Sequence, residues 1–172
     1  MIRKAVMSDV DSINQIYERI HTQQEQGHIT TGWVRGVYPT LHTARTAVAS
    51  GEMYVYEKDG VIIASGRINH VQGEEYRQVP WSIDAADDRV LVLHTLVVDP
   101  LYSRQGIGKA FIAYYESLAR ELGCLCLRID TNERNARARK LYQTLGYREC
   151  AVVPCIFNGI RDVRLVCLEK LL

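Results

Sequence analysis

Residues whose types and spacing could do chemistry gather in two stretches. In the first, the apolar run Leu96-Val97-Val98 gives way through Asp99-Pro100 to Ser103-Arg104-Gln105-Gly106-Ile107-Gly108-Lys109. An amphipathic pattern follows at once. The first turn of a helix has backbone N–H groups without partners and the positive end of the helix dipole. Gly106 and Gly108 have no Cβ, so ligand oxygens could approach that main chain, and Arg104 and Lys109 add positive charge. This is a candidate diphosphate site. It is neither G-x-x-x-x-G-K-[ST] nor G-x-G-x-x-G, because residue 111 is Phe. In the second stretch, Asn135 to Tyr147, Asn135 is an N-cap candidate and Tyr142 supplies a phenol that is protonated at neutral pH. His94 interrupts an otherwise apolar run, and its ordinary pKa near 6.5 suits proton abstraction. Asp130, on the next apolar segment, is the competing base.

The elements that must position these groups follow from periodicity and turn signals. Met1 to Val6 is predicted as a strand. Ser8 and Asp11 open a helix through Ile13, Ile16, Tyr17 and Ile20, and Thr40 opens a second that Gly51 closes. Met53 to Glu57 and Val61 to Asn69 form a hairpin about Asp59-Gly60. Gly73 to Asp88 is irregular and polar. Arg89 to Val98 is a long apolar strand suited to a sheet centre. Gly106 to Leu122 is a helix, Leu125 to Asp130 a strand, and Asn135 to Leu145 a helix. Two strands, Tyr147 to Val153 and Val163 to Leu168, flank an Asn158-Gly159 turn. The order is βααβββ-α-β-α-ββ, a single α/β domain over 1–172 with a mixed sheet.

Composition narrows the function. With 21 basic and 20 acidic residues the net charge is +1, which gives no field favouring nucleic acid or an anionic membrane. No apolar run reaches the roughly 18 residues of a membrane span, and the N-terminus has no signal-peptide core, so a cytoplasmic protein is expected. Five cysteines without paired C-x-x-C spacing predict buried, reduced thiols and no metal. Cys124 and Cys126 are expected to face one side of a strand.

The two stretches together resemble the GNAT superfamily of N-acetyltransferases. Val98-Asp99-Pro100 and Gly106-Ile107-Gly108 match motif A, [QR]-x-x-G-x-[GA] after a strand ending V-x-P. The departure is Ser103, which stands where the pattern has Gln or Arg, with the basic side chain one place later at Arg104. Asn135 to Tyr147 matches motif B, N-x-x-A-x-x-[LF]-Y-x-x-x-G-[FY], at every specified position. The resemblance implies a mostly antiparallel sheet of about seven strands with about four helices. It implies acetyl-CoA as co-substrate and direct attack by a primary amine of a small molecule or peptide. On this resemblance the main chain of Leu96, Val97 and Val98 holds the pantetheine arm. Ser103, Arg104, Gln105, Gly106, Ile107, Gly108, Lys109 and Asn135 hold the rest of the coenzyme, and Tyr142 protonates the leaving thiolate. His94 matches a histidine proposed as base in the arylalkylamine branch. Asp130 lies near where other members carry a catalytic glutamate, and water remains a third route. Trp33, Tyr38, His42, Tyr76 and Trp81, with His94, are candidates for the acceptor side. Homodimers are common in the family. The competing function is a non-catalytic acyl-CoA sensor or scaffold of the same fold.

Overall fold

The computed structural model describes residues 1–172. Seven strands and four helices alternate as β1 (Ile2–Lys4), α1 (Val10–Glu25), α2 (Leu41–Ala49), β2 (Met53–Lys58), β3 (Val61–Asn69), β4 (Val90–Val98), α3 (Ile107–Glu121), β5 (Cys126–Asn132), α4 (Ala136–Thr144), β6 (Arg148–Phe157) and β7 (Ile160–Leu171). They form one sheet in the order β1-β2-β3-β4-β5-β7-β6. Every pairing is antiparallel except β4 with β5, which α3 joins as a crossover. No helix is long and apolar enough to cross a membrane.

Each face of the sheet is covered differently. Leu91, Leu93, Leu127 and Ile129 point to one face, where Phe111, Ile112 and Tyr115 of α3 and Tyr142 of α4 cover them. On the other face Ile13, Ile16 and Tyr17 of α1 and Ala44 and Ala47 of α2 pack on Met53, Val55, Ile62 and Val97. Beyond β4 that same face is covered by the stretch after β3, through Tyr76 and Val79, over Val90, Val92, Cys126, Leu165 and Cys167. A gap therefore remains on this face between the α1–α2 pair and the Tyr76 segment.

One irregularity sets the geometry of β4. Ser65 pairs with Val97 and Arg67 with His94, so Gly66 alone opposes both Thr95 and Leu96. The extra residue is a β-bulge, with Thr95 at φ 53°. Side chains alternate along a strand, so Leu93 and Val97 should share a face. They do not: Leu93 lies in the α3–α4 core and Val97 in the α1–α2 core. Gly66 is required opposite, because a Cβ there would sit 2.9 Å from Phe111 Cε1.

Several local expectations are corrected. The first helix is not opened by Ser8 and Asp11. Asp9 holds the turn, accepting from Val6 N at 2.8 Å and from the Arg3 guanidinium at 2.7 and 3.1 Å. Cys124 and Cys126 do not share a side: Cys124 precedes β5 and packs with α3, while Cys126 faces the Tyr76 segment. The last three strands each run further than predicted, β5 to Asn132, β6 to Phe157 and β7 from Ile160 to Leu171, because pairing with hydrogen-bonded neighbours carries the ladder on.

The Tyr76 segment is fixed by a buried ion pair. Arg128 and Glu169, whose side chains are 4% and 1% exposed, meet at 3.2 Å. Glu169 also accepts from Ser82 N at 2.8 Å, and Arg128 donates to Ile83 O at 3.2 Å and to the Gln72 amide oxygen. Removing one member of such a pair leaves an uncompensated buried charge. Glu169→Ala should therefore lower stability by about 3–5 kcal/mol in urea unfolding. A loss within about 0.5 kcal/mol, the range of an ordinary surface change, would show that the pair anchors nothing.

Candidate active site

The parallel ladder between β4 and β5 runs from Val90↔Cys126 to Leu93↔Ile129 and stops. The next pair in register would be His94 with Asp130. At that point the bulge turns β4 away, while β5 continues along β7 as far as Asn132. A cavity of about 1270 Å³ occupies the split and is lined by residues from both faces of the sheet. The backbone of Leu96, Val97 and Val98 lines it, as do Asn135 and Tyr142 from the α4 side.

At the α3 end the sequence gathers unpartnered helix N–H groups and cationic side chains. Gly106 is the N-cap of α3 at φ 75°, with open space around it. Its glycine character is thus conformational. Gly108 has a different cause: a Cβ there would lie 3.4 Å from Leu141 Cδ2, so it sets how closely α3 meets α4. The first intrahelical bond runs from Ala110 N to Gly106 O, which leaves the N–H groups of Ile107, Gly108 and Lys109 without helix partners. Arg104, Lys109, Arg137 and Lys140 line the same end, and none is in an ion pair. Arg139 is different, bound to Glu149 at 2.7 and 2.8 Å. Ser103 lines the cavity beside Arg104, whereas exposed Gln105 does not reach it. Asn135 caps α4, its side-chain oxygen accepting from Ala138 N at 3.2 Å.

Three proton-handling groups meet where the strands part. Tyr142 belongs to the α3–α4 core, yet its hydroxyl reaches the cavity without a protein partner, and burial keeps it protonated well above neutrality. Asp130 accepts from the Tyr76 hydroxyl at 2.8 Å through Oδ2. Burial raises its pKa to about 6, against the lowering effect of that hydrogen bond. His94 contacts Asn69 Oδ1 through Nε2 at 3.0 Å. Asn69 also accepts from Val71 N and donates to Glu52, so its oxygen faces the imidazole and Nε2 must be the donor. Burial and the Arg67 charge depress His94 to about 4, so the ring is neutral with Nδ1 free to accept. A phenol donor, a carboxylate raised toward neutrality and a neutral imidazole line one space, an arrangement suited to passing protons.

The aromatic candidates divide. Trp33 and Tyr38 line the cavity and meet edge to face at 6.1 Å. The Tyr38 hydroxyl bonds Thr95 Oγ1, which ties the α1–α2 loop to the bulge. Tyr76 lines it too. Trp81 does not: it lies over the Arg128 guanidinium at 4.1 Å and donates to Tyr76 O at 2.9 Å. His42 is exposed on the outer side of α2. Thr95, Arg67 and Glu75 line the cavity and carried no signal in their own types. Glycine inside the apolar run of β3 was the available clue to the bulge.

A family model described as the acetyltransferase (GNAT) family matches residues 11–147. The chain belongs to that family. Among curated proteins it is 33% identical over 60 residues to the ribosomal protein bS18-alanine N-acetyltransferase of Escherichia coli strain K12. That match spans 35% of this chain and 40% of the relative. Among solved structures, a GNAT-family acetyltransferase from Streptococcus agalactiae superposes with a TM-score of 0.81 at 21% identity, covering 100% and 95% of the two chains. The Salmonella typhimurium acetyltransferase yncA, solved with acetyl-CoA, gives 0.71 at 17% identity over 99% and 92%. These superpositions establish the seven-stranded GNAT fold.

Proposed function

We propose that this protein is an acetyl-CoA-dependent N-acetyltransferase that passes an acetyl group directly to a primary amine in a ternary complex. One observation carries this: the split between β4 and β5 connects a cationic helix entry on one face of the sheet to Asp130, His94 and Tyr142. The fit to coenzyme A rests on the chain's own groups. Three free helix N–H groups and four unpaired cations suit a phosphorylated carrier. The freed edge of β4 offers main-chain partners to an extended amide arm.

Acetyl-CoA, when bound, supplies the electrophilic thioester carbonyl. A main-chain N–H of Leu96 or Val97 would polarise that carbonyl. Tyr142 donates its proton to the departing sulfur, a role that burial suits because it keeps the phenol neutral. On the amine side Asp130 is the better-matched proton acceptor, since about 6 lies nearer neutrality than about 4. His94 stays neutral beside it and offers Nδ1 as an acceptor. A sensor that only holds acyl-CoA has no use for three proton-transfer atoms free in one chamber, and this favours an enzyme. The curated relatives are named for acting on an alanine of a ribosomal protein, a peptide amine. A cytoplasmic setting is the natural one for such a reaction.

Tyr142→Phe should lower kcat by about 10²–10⁴-fold while acetyl-CoA affinity stays within about twofold. Unchanged turnover removes the acid role. The pH profile of kcat/KM should fall on the acid side through about 6, because protonated Asp130 cannot accept, and Asp130→Asn should abolish that limb. A limb near 4 that vanishes in His94→Ala would instead assign the base to the imidazole. Gly106→Val forces a branched side chain into a φ of 75° and should weaken acetyl-CoA binding by about tenfold or more in calorimetry. Equal affinity would count against the α3 entry as the binding site.

A further inference from the structure

On its acceptor side the cavity is roofed. The loop between α1 and α2 crosses to the opposite rim, where Thr30 Oγ1 donates to Arg134 O at 2.7 Å. Gly32 lies so close to Asn132 that a Cβ there would collide with its side-chain amide. Further along, Val37 meets the tip of the β6–β7 hairpin, its Cγ1 3.4 Å from where a Cβ on Gly159 would lie. The two walls that flank the amine side therefore touch.

The roof is anchored from below. Gln24 Oε1 accepts from Gly32 N at 2.9 Å and Trp33 N at 3.3 Å, and the Gln24 amide donates to Trp33 O. Arg35 is bound by Glu18 and Glu25, and Tyr38 by Thr95. A loop fixed at so many points is a wall rather than a lid. A polypeptide end would need an open exit, since an extended chain advances roughly 3.3 Å per residue and its polar backbone needs partners or water.

The chamber under the roof has a definite charge. Asp130 is half-buried in the cavity wall, and only its Oδ2 has a protein partner. Its Oδ1 faces the cavity without one. A carboxylate oxygen that opens into a cavity with no protein partner of its own attracts a cation or an N–H donor. The one cationic side chain on this side, Arg67, is engaged by Glu52 at 2.6 and 2.7 Å, so no free cation waits for a carboxylate. Trp33, Tyr38 and Tyr76 supply apolar walls.

We propose that the acceptor is a small free amine, bound as its ammonium against Asp130 and enclosed by the α1–α2 loop and the β6–β7 hairpin, and not the end of a polypeptide. This rests on the acetyl-transfer function proposed above.

The test is thiol release from acetyl-CoA by the whole protein. The free amines are 2-phenylethylamine, 1,4-diaminobutane and alanine amide; the peptide is a hexapeptide beginning with alanine. The best free amine should exceed the hexapeptide by about 100-fold or more in kcat/KM. Val37→Gly, a change at an exposed loop position, should raise the hexapeptide-to-amine ratio by about tenfold by loosening the roof. A hexapeptide as good as the best amine overturns the proposal, and so does a ratio unmoved by Val37→Gly. Failure of every free amine while acetyl-CoA still binds in calorimetry overturns the acceptor class alone. Failure of acetyl-CoA to bind overturns the transfer function and the acceptor class together.

Discussion

Opposite Gly66, β4 spends two residues where β3 spends one, and the site follows from that mismatch. A threonine at φ 53° costs on the order of 1–3 kcal/mol and persists only where its surroundings over-determine it. They do so here. Tyr38 binds the Thr95 hydroxyl from one side, and Phe111 and Leu93 leave no room for a side chain on Gly66. The bulge has two effects. It reverses which face the end of β4 presents, so His94 and Val97 both look toward the α1–α2 side. It also ends the parallel ladder at Leu93, leaving the main chain of Leu96 to Val98 free beside β5.

The opposite wall is organised by polar groups that the sheet buries. Arg128 stands two residues before Asp130 on the same face of β5, and its pair with Glu169 of β7 fixes Ser82 and Ile83. Trp81 stacks on the same guanidinium and bonds back to Tyr76. Tyr76 in turn holds Asp130. A buried ion pair contributes little net stability by itself, because desolvation offsets its attraction. Its consequence here is positional, since it pins an irregular segment that has few backbone bonds of its own.

The cavity is polarised along its length. Unpaired cations and helix N–H groups lie at the α3–α4 end, and a carboxylate with one free oxygen lies beneath the α1–α2 loop. The first end suits the phosphates of a carrier and the second the positive charge of an amine. Tyr142 stands between them, reaching through the split from the core of the other face.

Much of this was legible in the chain before folding was considered. The turn at Asp59-Gly60, the glycine-bearing entry to α3, the cap at Asn135 and the order of strands and helices are set within a few residues, where local sterics and hydrogen bonding decide. The two motif stretches set the entry of α3 and the position of Tyr142 on α4 for the same reason. Other features depend on pairs far apart in sequence: Tyr38 with Thr95, Thr30 with Arg134, Val37 with Gly159, Arg128 with Glu169. Trp81 looked like a pocket aromatic because its type suits one, but only the burial of Arg128 determined where it went. Alternation along a strand is a local rule, and a single inserted residue inverts it. Tertiary structure decided the rest: the register of β4 beside β5 put His94 and Asp130 on one face, the bulge turned Val97 to that face, and distant pairs closed a roof over them.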